Sequence, residues 1–540
     1  MIMNIFSTPK LFKRIISFVF PLILFIGIYF LMGYNKITTK GPYSRHTYRQ
    51  SDSYAFALNY YHKNNNFFEP AILTVIEDKG GKTVSEFPIL YYITAQIWKI
   101  TGVNPFIPKL LNLIILYIGL FYLYKLSNEI LQDKYWSIIV SLFMFSSPLL
   151  GYYGFNFIPN TPALGIALIA SFFYYKYHKE SNKQDLTIST ILFSLAALIK
   201  VSSLFAFLAI NFVFFIYNIR NRKQDHKALY NQIISGIALF SILLGWFIFS
   251  RIYNSNNLDG LFRQDIIPIW KLAPEHIQKI LNVVFTNTII YFLNPIALLL
   301  LGVLLIISVI FRKETNQKML YITLTILLGM TVFVLLFFEG MDEHEYFLID
   351  TTIIIPAIVI TFLTTLKGKF PKIYYSSIFK TATFILVLFS LNYSMVLTRA
   401  HYNPKDKLVT SNFPLPKRVV DYWEWVHWDY EIHKGKFEGI VPYLRSLGIK
   451  FEDKVISVPD ESPNITLSLM QQKGFTDYHY SNHYQGRQIT ERKIELGAKY
   501  LIVEGEENLL RSDVAPFIKN QIGEYNGIKI FKLMDNSTDD

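Results

Sequence analysis

A polytopic all-α membrane domain followed by a small α/β domain is the fold class the sequence predicts, and three observations carry it. The 540-residue chain is 52% hydrophobic and only 17% charged, where soluble chains carry about a quarter charged residues. Its apolar residues gather in runs near the roughly 20 residues that cross about 30 Å of hydrocarbon. Past residue 397 those runs shorten and charges return. The expected division is a transmembrane domain at 1–397 and an extracytoplasmic α/β domain at 398–540.

About eleven spans are predicted, at 15–32, 110–124, 136–150, 161–177, 186–199, 201–219, 233–253, 289–311, 320–338, 347–366 and 378–397. Lys10, Lys13 and Arg14 precede the first, and no small-residue cleavage site follows it, so it reads as a retained helix. With the N-terminus in the cytoplasm, the inside loops hold Lys125 and Lys134, Lys176 to Lys183, Arg220 to Lys227, Arg312 to Lys318, and Lys367 to Lys372. The short outer loops 151–160 and 339–345 hold no Lys or Arg, which satisfies the positive-inside rule. Merging 186–199 with 201–219 would invert every later loop, so they are two spans. The first outer loop, 34–107, is long and polar, with interfacial helices expected at 53–62 and 87–100. A further helix is expected at 274–285.

In the tail, helices at 437–447, 465–471 and 489–496 alternate with β-branched strands at 455–458, 500–503 and 528–533. Residues 514–521 read as roughly helical and 523–527 as a turn. The net charge of +12 is accounted for by the cytoplasmic loops. No basic, aromatic-interleaved patch points to nucleic acid. Cysteine is absent, which excludes disulfides and thiolate chemistry and fits a bacterial inner (plasma) membrane.

The ionisable residues cluster on the outer side. The stretch GPYSRHTYRQSDS at 41–53 holds His46, Arg49, Gln50 and Asp52 within seven residues, a density that suits phosphate or sugar hydroxyls. Asp52 reads as a general base or as one half of a local ion pair with Arg49. His46 and Glu86 are placed to shape the same cavity. Lys200 reads as a phosphate clamp or as an interfacial lysine reaching for water. Glu339, Asp342, Glu343, His344 and Glu345 form a solvated loop or a neighbour for a divalent cation, with Glu86, His344 and Glu345 the candidate metal ligands. Asn160 opens a helix on the same side. Asp259, Arg263, Asp265 and His276 lie in a segment that would cover the site. Few charges lie mid-span, against the broken helices and midplane charges of ion transporters.

Five stretches, in this order, resemble the GT-C membrane glycosyltransferases, in the branch of the protein O-mannosyltransferases and the lipid A aminoarabinose transferase. They are HTYRQSDSYAFALNYY (46–61), SEFPILYYITAQIWKITG (85–102), FNFIPNTPALGIALIA (155–170), ALIKVSSL (197–204) and DEHEYFLIDTTIIIPA (342–357). The resemblance implies a sugar donor on a polyprenyl phosphate, Asp52 as the catalytic acidic residue, Glu86 as a second, and Lys200 at a position that meets the lipid phosphate. It implies a lipid, glycan or protein acceptor, and it leaves metal use open. Asn160 stands where many relatives place an aspartate. The segment with His344, Glu345 and Tyr346 resembles a His-Asp-Tyr-Tyr segment of bacterial relatives. The alternatives are an O-antigen-type ligase using a diphosphate-linked glycan, a lipid or solute transporter, and an assembly protein whose tail binds partners.

Overall fold

The computed structural model describes residues 22–220, 226–258, 260–262, 266–412 and 415–533. Lys10, Lys13 and Arg14, and Asp259, Arg263 and Asp265, lie outside the described residues. Among the described residues helices occupy the runs read as spans, the part 15–21 of the first lying outside them: α1 (Leu22–Leu31), then, after α2 (Thr47–Lys63) and α3 (Ile89–Thr101) in the first long loop, α4 (Phe106–Leu131), α5 (Lys134–Phe145), α6 (Pro148–Tyr153), α7 (Asn160–Glu180), α8 (Lys183–Ile199), α9 (Phe205–Arg220) and α10 (His226–Ser255). There follow α11 (Pro274–Val283), α12 (Ile289–Phe292), α13 (Pro295–Ile310), α14 (Gln317–Leu336), α15 (Ile354–Lys369), α16 (Pro371–Tyr374) and α17 (Ser377–Tyr402). Among the described residues six helices are long and apolar enough to cross a membrane, or seven if a pair bent by 87° is one span. The chain is a membrane protein.

Two runs expected to be continuous are broken, each just before a proline. Ser147 (ψ 122°) separates α5 from α6, and Asn294 (ψ 144°) separates α12 from α13. A residue before proline is pushed out of helical backbone, while proline itself suits the first helical turn. Asn294 caps the new helix by accepting from the Ala297 amide at 2.9 Å. Lys200 sits at a third break. Its extended backbone (φ −151°, ψ 113°) ends α8 before the 3-10 turn Val201–Leu204. Small residues set the closest approach in the bundle. A Cβ on Gly119 of α4 would lie 2.5 Å from Gly165 Cα on α7, the close backbone contact that small residues permit between membrane helices.

After α18 (Lys407–Asn412) and α19 (Lys417–Ile432), the tail forms α20 (Ile440–Ser446), β1 (Lys454–Val458), α21 (Ile465–Met470), β2 (Gly474–Phe475), α22 (Tyr480–His483), α23 (Arg487–Glu495), β3 (Ala498–Glu504), β4 (Gln521–Tyr525) and β5 (Ile528–Lys532). The sheet order is β2-β1-β3-β5-β4, parallel across β2, β1 and β3 and antiparallel thereafter. Residues 521–525, read as the end of a helix and part of a turn, are an edge strand.

The first long loop is built into this sheet. Val75 N–H donates to Gly474 O (2.7 Å) and Gly474 N–H to Leu73 O (3.2 Å). Tyr54, Phe56 and Leu58 of α2 and Trp98 of α3 share one core with Ile440, Leu444, Val455, Leu467 and Ile502. The helix α2 is enclosed by the protein: every residue from Gln50 to Tyr60 is buried, with α21 packed against it. The helix α3, with Ile93 and Ile100 exposed, keeps the expected surface character.

Candidate active site

A cleft of about 890 Å³ opens where α2, the α8–α9 break, α10 and the loop before α15 meet. It is lined by His46, Arg49, Asp52, Glu86, Lys200, His344 and Tyr346. These side chains, spread over three hundred residues of sequence, share one cavity because α2 is clamped under the sheet and Lys200 sits at a helix break.

Asp52 is 2% exposed. Burial pushes its carboxyl up to about 7, against the opposing pull of Arg49 and of a hydrogen bond from Asn464; Glu86 adds to the rise. The Asn464 amide donates to Asp52 Oδ1 at 2.8 Å, while Asn464 Oδ1 accepts from the Leu73 and Thr74 amides, both at 3.2 Å. One side chain of the tail therefore fixes the loop and the carboxylate together.

Glu86 is differently placed. Burial raises its carboxyl, but Arg49 and hydrogen bonds from Ser85, Tyr91 and Arg49 outweigh that and hold it below the usual range. Arg49 Nη2 donates to Glu86 Oε1 at 2.5 Å, and Arg49 Nη1 to Ser53 Oγ at 3.1 Å. Glu86 is thus a paired anion that orients Arg49, whereas Asp52 is the carboxylate poised to change protonation near neutrality.

Lys200 Nζ lies 5.4 Å from the centre of the Phe347 ring. Burial and the neighbouring Arg49 lower its pKa, while Asp350 and Glu86 oppose that. Asp350, 1% exposed, accepts from Ser202 Oγ at 2.6 Å behind the lysine. The His344 ring packs against Tyr346 and Phe347 at 5.4 and 5.1 Å between centroids, and burial lowers its pKa. The opposite wall is apolar: Phe240, Leu243, Trp246 and Phe247 of α10, a helix whose most apolar stretch is only 11% buried within the protein. The cleft therefore joins Arg49, Lys200 and the buried Asp52 carboxylate to an apolar surface that the protein leaves exposed.

Other expected residues lie behind the cleft. Gln50 donates to the Tyr43 and Arg45 carbonyls at 2.8 and 2.7 Å, pinning the loop. Asn160 donates to the Tyr346 carbonyl at 3.3 Å and so holds the ring-bearing segment from beneath. Glu345, 1% exposed, is taken up by Arg45 Nε (2.8 Å), His46 Nε2 (2.9 Å) and Tyr153 Oη (2.8 Å). Glu86, His344 and Glu345 do not converge: among the described residues no group of three His, Asp or Glu side chains is arranged to hold a metal.

Sequence reasoning missed Asn464, Asp350, Tyr48 and the α10 wall. Asp350 carried a signal, as an acidic residue inside an apolar run. Tyr48, 43% exposed, lies within the motif already singled out. Asn464 carried none.

Residues 85–246 match the dolichyl-phosphate-mannose-protein mannosyltransferase family. ArnT from Cupriavidus metallidurans, in the apo state, superposes with a TM-score of 0.57 at 8% identity, over 96% of this chain and 99% of that one. ArnT bound to undecaprenyl phosphate gives 0.56 at 8% identity, over 97% and 99%. The arabinofuranosyltransferase AftD from Mycobacteria gives 0.55 at 11% identity, over 96% of this chain and 40% of that one. The fold is that of the GT-C membrane glycosyltransferases. No curated protein sequence matches the chain.

Proposed function

We propose that the protein transfers a sugar from a polyprenyl-phosphate donor to a hydroxyl or amine acceptor at the outer face of a bacterial inner membrane, with inversion. The observation that carries this reading is the single cleft holding Asp52, Arg49 and Lys200 against the lipid-facing wall of α10. A polyprenyl chain fits the wall and its phosphate fits the cations. One arginine and one lysine line the cleft, a complement suited to one phosphate, whereas a diphosphate-linked glycan calls for more. Structural likeness to ArnT bound to undecaprenyl phosphate points the same way.

In this reading Asp52 accepts the acceptor's proton while the acceptor oxygen or nitrogen attacks the anomeric carbon from the side opposite the phosphate. The bond from carbon to phosphate oxygen breaks, and the phosphate leaves with the electron pair, its charge held by Lys200 and by Arg49. Phosphate needs no proton to leave, so one base suffices. His46, His344 and Tyr346 line the sugar's side of the cavity, with Gln50 and Asn160 supporting them. Eleven spans, a cytoplasmic N-terminus and an outer domain at 398–540 follow from the loop charges.

The test supplies purified protein with radiolabelled sugars on polyprenyl monophosphate, on polyprenyl diphosphate and on nucleotides, with membrane extract as acceptor. Transfer from the monophosphate alone is the expected result. Transfer from the diphosphate alone would replace this reading with the ligase.

A further inference from the structure

A second and larger cleft, about 1180 Å³, opens between α7, α9 and α14. The helix α7 separates it from the Asp52 cleft. Asn160 begins α7 under Tyr346, and Lys179 in its last turn lines the second cleft. The 21 residues of α7 measure about 30 Å, the thickness of the hydrocarbon layer. The two clefts therefore lie at opposite ends of α7.

Lys179, Arg220 and Lys318 line the second cleft, and among the described residues no acidic side chain does. Lys318 Nζ lies 3.8 Å from the centre of the Tyr217 ring and 5.1 Å from that of Phe214, so its charge is held at the mouth by aromatic faces. Lys179 is shared with Glu129 at 2.5 Å, and Arg220 is exposed. The wall beneath these cations is apolar, with Phe212 56% and Leu328 65% exposed. An apolar crevice of about 70 Å³ continues the cleft inward, sharing Ile130, Phe214 and Ile322 with it and reaching Pro356 on α15.

We propose that this cleft binds an anionic phospholipid of the leaflet opposite the Asp52 cleft. The lipid phosphate sits among Arg220, Lys318 and Lys179, with one hydrocarbon chain against Phe212 and Leu328. Charge selects the headgroup, since Arg220 and Lys318, with Lys179 partly offset by Glu129, favour a net negative lipid over a zwitterionic one. The apolar wall selects a tailed molecule, because a soluble phosphate would use only the rim.

The chain has no cysteine, so Leu328→Cys carries a single fluorophore in the cleft. The labelled protein is placed in phosphatidylcholine nanodiscs containing equal mole fractions of either dibrominated phosphatidylglycerol or dibrominated phosphatidylcholine. Stronger quenching by brominated phosphatidylglycerol is expected. Each basic residue near a membrane surface favours an anionic lipid by roughly fivefold, so Arg220→Gln with Lys318→Gln should cut the preference on the order of twentyfold. Arg220→Lys with Lys318→Arg should keep it. In the glutamine variant, unchanged quenching by brominated phosphatidylcholine verifies that the cleft is still folded and open. Equal quenching by the two lipids in the parent, or a preference that survives the glutamine variant, overturns the proposal.

Discussion

Asn464 donates to Asp52 Oδ1 across 2.8 Å, from 412 residues away in sequence. The contact makes the tail part of the site: a side chain at the start of α21 opposes the rise that burial imposes on a carboxyl of the first loop. Asn464→Asp keeps an oxygen for the Leu73 and Thr74 amides but places a second carboxylate against Asp52. Like charges raise a carboxyl pKa, and Arg49, Glu86, Tyr48 and Tyr478 already surround this one. The acid limb of the kcat/KM pH profile, expected near pH 7 in the parent, should move up by at least about one unit. An unmoved limb would mean that Asn464 only anchors the loop.

Burial of Asp52 also has a stability signature. Its folded pKa of about 7 stands above the ordinary value of 3.8, so the fold favours the protonated form. Stability linked to this group is fully present below pH 4 and is lost as pH rises through 7. Asp52→Asn should therefore raise the unfolding temperature at pH 8, with the gain shrinking toward pH 4. Thermal scans in detergent across that range check it.

Lys200 and the lipid phosphate give a third expectation. Charge-assisted hydrogen bonds contribute about 1.5–3 kcal/mol, so Lys200→Ala should raise the KM for the lipid donor by about ten- to a hundredfold, with Lys200→Arg recovering part of it. Initial rates against donor concentration separate this from a loss confined to kcat. An unchanged donor KM would place the phosphate elsewhere.

The approach of α4 to α7 is tested by Gly165→Leu. A Cβ there would already lie 2.6 Å from the Ile115 carbonyl oxygen, and overpacking costs about 1–3 kcal/mol or more. A lower unfolding temperature is expected, with aggregation in the stronger detergents.

How much of this was legible in the sequence varies by element. The apolar helices were, because a run of some twenty apolar residues is a local signal. The breaks at Ser147 and Asn294 were not, although Pro148 and Pro295 mark them, because proline at a helix start and proline in a helix read alike. The burial of α2 was hidden because its cover, α21, is distant in sequence. β4 was hidden because an exposed edge strand, QIGEY, shows no apolar alternation. α19 was overlooked although it carries Trp423, Trp425 and Trp428; Trp425 and Trp428 stay more than half exposed, and a helix without a clear apolar stripe gives little periodicity. Of the candidate site, Asp52, Arg49, Glu86, Lys200 and His344 were found as charges out of place. Asn464 is an uncharged residue whose importance lies wholly in a tertiary contact.

We propose Asp52 as the base of a lipid-phosphate-sugar transferase. Wild type and Asp52→Asn, both verified as folded, are compared for transfer of labelled sugar from a polyprenyl monophosphate to membrane extract. Loss of a general base costs about 10²–10⁴ in rate, so transfer in the variant should fall at least a hundredfold with donor binding retained. Equal transfer by the two proteins would contradict the account and move the chemistry to Glu86 or to the His344 segment.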